Sequence, residues 1–275
     1  MESLFLTPFE MSKAISNIGE RKANETIFEL FIFGVLAGIY IAFGAAVASS
    51  VLSGGTLDAG VAKFLAGSVF SVGLILVLIL GSELFTGNIL MTIGLIYQKY
   101  SLAKVLRNWL IVYFGNFLGG IIIAWLVFNS GLLNHLGSLT SLGTTAVAIA
   151  ETKLQLSFTE ALCRGILCNM LVCLAVIMCI AAKTIMGKIM GIYFPIMTFV
   201  ASGYEHSVAN MYFLPAGLMA QGKFVSGFFG MFNNLIPVTI GNIIGGLLIV
   251  LLHPKIEERI AVILTRGKVS SSSKK

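Results

Sequence analysis

Two short stretches set a carboxylate five residues ahead of a carboxamide inside apolar runs: Ser82-Glu83-Leu84-Phe85-Thr86-Gly87-Asn88 and Tyr204-Glu205-His206-Ser207-Val208-Ala209-Asn210. An ionisable group at mid-membrane depth costs roughly 2.5–3.5 kcal/mol on insertion scales, so such groups mark an ion or substrate pathway. His206 adds a side chain whose ordinary titration range covers physiological pH. Thr86 and Asn210 add groups that hydrogen-bond oxyanions. The chemistry on offer is polar contact and proton exchange with a small solute crossing a bilayer.

The elements that must position these groups are transmembrane helices. The chain has 275 residues, 57% hydrophobic and 11% charged, with a mean hydropathy of +0.96, which describes an integral membrane protein. Apolar runs near Ile27 to Leu52, Phe64 to Tyr97, Trp109 to Phe128, Phe158 to Ala182, Ile189 to Met219 and Phe228 to His253 are each long enough to cross about 30 Å of hydrocarbon. The second and fifth are overlong and interrupted at the Glu-x4-Asn stretches by Gly81, Gly87, Ser202 and Gly203, the signature of discontinuous helices.

Internal repetition fixes the arrangement. Gly115-Asn116-Phe117-Leu118-Gly119-Gly120 returns as Gly241-Asn242-Ile243-Ile244-Gly245-Gly246 at an offset of 126, Glu-x4-Asn returns at 122, and Gly34-Val35-Leu36 resembles Gly165-Ile166-Leu167 at 131. Three crossings per copy is an odd number, so the second copy enters from the opposite face. The expectation is an all-α membrane protein of six transmembrane helices, built as two inverted three-helix repeats with broken second and fifth helices. Residues 1–268 form one domain: an amphipathic arm 1–26, a first repeat 27–130 and a second repeat 155–253, followed by a low-complexity tail 269–275 expected to be disordered. Freed backbone groups at the breaks must line a cavity, and half-helix N-termini aimed at the midplane favour an anion there. Asn116 and Asn242 can hold freed backbone groups, while Glu83, Asn88 and Glu205 read as struts bonding backbone N–H groups at the breaks.

Of the 18 Lys and Arg residues, 14 fall in the arm, the second-to-third and fourth-to-fifth connections and the tail. By the positive-inside rule both termini are cytoplasmic. The net charge of +6 is met by anionic lipid and requires no nucleic acid. No cleavable signal is expected, because a polar arm precedes the first apolar run. Thr7, Pro8 and Glu10 form a helix-start signature in that arm, and Ile15 and Ile18 recur at helical spacing, so the arm reads as a helix on the cytoplasmic membrane surface. Tyr97, Tyr100, Trp109 and Tyr113 suit an interfacial belt. Cys163, Cys168, Cys173 and Cys179 match no metal-site spacing and read as packing residues, and no cofactor is implied.

The chain resembles the formate/nitrite transporter family. The resemblance rests on Glu83-Leu84-Phe85-Thr86-Gly87-Asn88, Asn108-Trp109 with Tyr113-Phe114-Gly115-Asn116, Arg164-Gly165-Ile166-Leu167-Cys168-Asn169 with Leu171-Val172-Cys173, and residues 202 to 211. It implies an aquaporin-like protomer in a homopentamer of the cell membrane, each protomer carrying its own pore for small monovalent anions or their conjugate acids. Formate or nitrite comes first, and hydrosulfide or proton-coupled symport is the alternative. By the same resemblance His206 is the titratable group of a central chamber, with Thr86 opposite, Asn210 one turn beyond and flux falling as His206 changes state. Leu84, Phe85, Phe70 and Leu74 form one apolar constriction, and Phe199, Val172 and Asn169 the other. Lys153 makes a vestibule floor electropositive, with Glu151 as a neighbour able to neutralise it, and residues 81 to 88 form a mobile gate. An aquaporin-like neutral-solute channel is disfavoured because paired Asn-Pro-Ala boxes are absent. A membrane enzyme lacks paired catalytic groups at useful spacing.

Overall fold

The computed structural model describes residues 3–253, so the tail at 269–275 and its basic residues lie outside the described residues. Its helices are α1 (Pro8–Asn24), α2 (Ile27–Leu52), α3 (Ala59–Leu80), α4 (Phe85–Asn88), α5 (Thr92–Ile96), α6 (Leu102–Asn129), α7 (Ser141–Leu154), α8 (Phe158–Ala181), α9 (Ile185–Ala201), α10 (Ser207–Ala220), α11 (Phe224–Gly227) and α12 (Phe232–Leu251). A small hairpin, β1 (Asn134–His135) with β2 (Ser138–Leu139), precedes α7. Among the described residues, five helical stretches are long and apolar enough to cross a membrane: α2, α3, α6, α8 and Phe229–Leu251. The stretches Phe85–Ile96 and Ile185–Ala201 are shorter, because the overlong second and fifth runs do break where the glycines fall.

Both breaks begin on a glycine with positive φ, Gly81 at +82° and Gly203 at +72°. That conformation carries a steric penalty for residues with a Cβ, and it turns the chain out of α3 and α9. Residues 82–84 and 204–206 then run extended before α4 and α10 start. α2 packs on α3 and α6, α8 packs on α9 and α12, and α3 packs on α9. Close approach within these groups is glycine-dependent. A Cβ on Gly119 would collide with the Val35 carbonyl, and one on Gly245 with the Ile166 carbonyl.

Two expectations are revised. The third-to-fourth connection holds a 14-residue helix, α7, N-capped by Thr140. Its short, Thr-rich sequence is too polar to register as a crossing. The arm is helical with the expected Thr7–Glu10 capping box, yet it is docked on protein rather than simply lying on a membrane surface. Small residues Ser12, Ser16, Gly19 and Ala23 let it sit close, and Ile15 is buried with Leu90, Ile93 and Val250.

Candidate functional site

Each break is closed by a carboxamide from the following long helix. Asn116 on α6 accepts from Phe85 N at 2.9 Å and donates to the Gly34 and Glu83 carbonyls at 2.7 and 3.0 Å. Asn242 on α12 accepts from Ser207 N at 2.9 Å and donates to the Gly165 and Glu205 carbonyls at 2.8 and 3.0 Å. The extended strands are also tied back: Glu83 N donates to Phe33 O and Glu205 N to Arg164 O. The backbone groups freed by breaking a helix are thereby satisfied inside the protein, as a lipid environment demands.

The glutamates have different partners from those expected. Glu83, 1% exposed, meets Lys22 Nζ of α1 at 2.9 Å and accepts from Asn88 Nδ2 at 2.7 Å, while Asn88 Nδ2 also reaches Asn108 Oδ1 and Lys22 Nζ reaches Asn88 Oδ1. Glu205 meets Lys153 Nζ of α7 at 2.8 Å and accepts from Asn210 Nδ2 at 2.6 Å, and Asn210 Nδ2 also reaches Asn234 Oδ1. The struts bond side chains because Asn116 and Asn242 already take the backbone. Asn210 is therefore held through Nδ2 by Glu205 and Asn234, as Asn88 is by Glu83 and Asn108, and its Oδ1 is buried without a hydrogen-bond partner among the described residues. Lys153, ion-paired with Glu205, also lies 5.2 Å over the Phe213 ring. Glu151 bonds Gln221 instead of neutralising it.

His206 and Thr86 are brought together. Thr86 Oγ1 lies 2.8 Å from His206 Nε2, and both side chains are buried. His206 caps α10, its Nδ1 accepting from Ala209 N at 3.2 Å. That bond assigns the neutral ring's hydrogen to Nε2, so His206 donates to Thr86 and leaves the Thr86 hydroxyl hydrogen available. Protonating Nδ1 would set two hydrogens against each other, so adding a proton means releasing the cap. Asn169 on α8 donates to Thr86 O at 3.2 Å and Asn242 O at 2.7 Å, and its Oδ1 is buried without a hydrogen-bond partner among the described residues. Ser207 Oγ is likewise unpartnered.

Apolar side chains flank this pair. Phe199 lies 5.8 Å, ring to ring, from His206 and 5.6 Å from Phe70, edge to face. Phe70 thus meets Phe199, a ring that the sequence reading assigned to the opposite constriction. It stands one turn of α3, about 6 Å, before Leu74, which puts it farther from the break. Val172, on α8 one turn beyond Asn169, is buried, as are Leu74 and Leu84. Leu84 also borders a cavity of about 370 Å³ beneath α1, which Ile15, Lys22, Glu83, Val176 and Lys188 help to line.

Three of the four aromatic residues singled out as a belt make hydrogen bonds inside the protein. Trp109 Nε1 donates to Asn88 O at 3.0 Å, Tyr100 Oη donates to Met91 O at 2.6 Å, and Tyr113 Oη pairs with Thr239 Oγ1 at 3.0 Å. The irregular stretch from α4 through Ile89–Met91 to α5 leaves carbonyls that these rings satisfy. The sequence reading gives Lys22 and Asn234 no role at the breaks, and Asn108 enters it only within the Asn108-Trp109 block, although a signal for all three exists. Lys22 and Lys153 are 131 apart, like Gly34 and Gly165, and Asn108 and Asn234 are 126 apart, like Asn116 and Asn242.

Comparison with known proteins gives one answer. A family model described as formate/nitrite transporter matches residues 9–255. A probable formate transporter of Methanothermobacter thermautotrophicus is 42% identical over 265 residues, covering 91% of this chain and 96% of that protein. The formate channel FocA of Escherichia coli (strain K12) is 35% identical over 263 residues, covering 89% and 92%. Two solved structures superpose: a pentameric formate channel with formate bound, at 35% identity and TM-score 0.69 over 82% of this chain and 94% of the other, and an FNT family ion channel, at 28% identity and TM-score 0.79 over 87% and 95%. With its membrane-length helices, its two broken crossings and a family match across nearly its whole length, the chain is a multi-pass membrane protein of the formate/nitrite transporter family.

Proposed function

We propose that this protein is a pH-dependent channel or facilitator for formate, with nitrite as a companion substrate, and that it works as a homopentamer of the cell membrane with one pore per protomer and both termini cytoplasmic. In this reading the fifth crossing is assembled from α9 and α10, and residues 27–130 and 155–253 are inverted repeats about a pseudo-two-fold axis in the membrane plane. The matched offsets and the duplicated bonding of Asn116 and Asn242 support that arrangement.

The buried Thr86–His206 pair between Leu84 and the Phe70–Phe199 rings carries the reading. A bare carboxylate is costly to desolvate in an apolar constriction, whereas its conjugate acid is not. The Thr86 hydroxyl donates to one formate oxygen and Asn169 Oδ1 accepts from the acid O–H; His206 supplies the proton only after taking one at Nδ1 and releasing its cap, when the imidazolium gives its Nε2 proton to formate and returns to the neutral ring. The α10 N-terminus adds partial positive charge. Lys153 serves this function through its ion pair, which holds the Glu205 charge so that it does not repel an approaching anion. The protein acts without covalent chemistry.

Uptake of labelled formate into sealed proteoliposomes, with nitrite and hydrosulfide as competitors, tests the assignment. Saturable uptake suppressed by nitrite is expected. Suppression by hydrosulfide alone would assign the protein to hydrosulfide, and absence of formate uptake by correctly inserted protein would overturn the reading.

A further inference from the structure

We infer that Tyr113 is a positioning residue for the transport site: its hydroxyl bond to Thr239 sets, through the Phe85 ring, the angle at which α4 presents Thr86 to His206. This rests on the reading of Thr86 and His206 as the transport pair.

α10 is 14 residues of uninterrupted α-helix, whereas α4 is one α-turn that passes straight into a 3-10 turn at Ile89–Met91 before α5. The poorer hydrogen-bond geometry of that 3-10 turn weakens the support behind α4, so its orientation depends on what packs beside it. α6 imposes it from one face, where Trp109, Tyr113 and Asn116 recur at helical spacing. Asn116 takes Phe85 N, Trp109 takes Asn88 O, and the two rings grip Phe85 edge-on, Tyr113 at 5.0 Å and Trp109 at 6.2 Å. Phe85 immediately precedes Thr86, so a tilt of its ring moves the Thr86 hydroxyl.

Tyr113 is itself anchored across the molecule. Tyr113 and Thr239 are 126 residues apart, the offset that relates Asn116 to Asn242, so each is the other's counterpart. Two counterparts can bond each other only where the two-fold relation passes between them. Ser71 and Tyr193, 122 apart, meet in the same way through Ser71 Oγ and Tyr193 O at 3.2 Å. The Tyr113–Thr239 bond therefore sits where α6 and α12 have least freedom to slide, a fixed point from which α4 can be aimed. The second half has no such clamp: the counterparts of Phe85, Trp109 and Tyr113 are Ser207, Leu235 and Thr239, in keeping with a half-helix that runs uninterrupted.

The test compares Tyr113→Phe, which keeps the ring and loses the hydroxyl, with Thr239→Val, Thr239→Ser and the double variant Tyr113→Phe/Thr239→Val. Formate uptake is measured against concentration and pH in proteoliposomes. Tyr113→Phe and Thr239→Val should each raise the half-saturating formate concentration about three- to tenfold and move the pH midpoint the same way as Thr86→Val, by less. The double variant should do no more than either single one, and Thr239→Ser should behave as wild type. Unchanged midpoint and half-saturation in Tyr113→Phe and Thr239→Val, whatever happens to melting temperature, would overturn the inference, as would additive effects in the double variant. Imidazole 15N shifts of His206, assigned with His206→Asn, give a readout independent of transport. They should change in Tyr113→Phe even if the wild type carries no formate, and a wild-type spectrum would contradict the positioning role.

Discussion

The half of the molecule built around α4 and the half built around α10 share a scaffold almost bond for bond. Asn116 and Asn242 tie the same three backbone positions, Lys22–Glu83–Asn88–Asn108 repeats as Lys153–Glu205–Asn210–Asn234, and the capping boxes Thr26–Glu29 and Ser157–Glu160 open α2 and α8 at the same offset of 131. At the half-helix tips the likeness stops. His206 stands where the first half has Leu84, Val208 where it has Thr86, and Ser207 where it has Phe85. The positions that match Thr86 and His206 in the opposite half are thus the apolar Val208 and Leu84. Repetition supplies a frame that can hold broken helices in a bilayer, and the departures from repetition supply the chemistry.

The comparison can be broken most severely at the helix crossings. Gly119→Ala and Gly245→Ala both push a methyl group into a carbonyl of the facing helix, and overpacking of this kind costs about 1–3 kcal/mol or more. Both are expected to abolish recovery of folded oligomer by size-exclusion chromatography in detergent. Tolerance of one and not the other would show that the halves are not mechanically equivalent.

Next come the charged clusters. Lys22→Met and Lys153→Met each strand a buried carboxylate, at a cost of about 3 kcal/mol. Melting temperatures should fall by similar amounts, and Lys22→Met/Glu83→Gln should recover much of the loss because neither charge is then left alone. A Lys153→Met protein of wild-type stability with reduced uptake would mean that Lys153 acts on the anion directly rather than through Glu205.

The smallest effects belong to the helix starts. Thr26→Ala and Ser157→Ala each remove one capping side chain, worth about 1 kcal/mol, and should lower thermal stability slightly and equally without changing uptake per folded channel.

The frame was largely legible in the chain. Glycines 81 and 203 mark the breaks because positive φ is costly elsewhere, and the Gly-Asn-x-x-Gly-Gly strings mark the helices that close them. The partners of Glu83 and Glu205 were not legible, because Lys22 and Lys153 reach them from α1 and α7, 61 and 52 residues away in sequence. α7 escaped notice because a short polar-flanked helix gives no hydropathy signal. The Phe70–Phe199 contact was not legible either, because residues 70 and 74 share a face of α3 and sequence spacing does not say which of two turns lies beside the Phe199 ring.

If pH sensing resides in the Thr86–His206 pair, as proposed, formate flux from pH 5 to 8 in His206→Asn beside Glu205→Gln measures it directly. The account predicts that His206→Asn conducts with a flat pH profile, while folded Glu205→Gln keeps the wild-type profile at lower stability. A wild-type pH response in His206→Asn would contradict it.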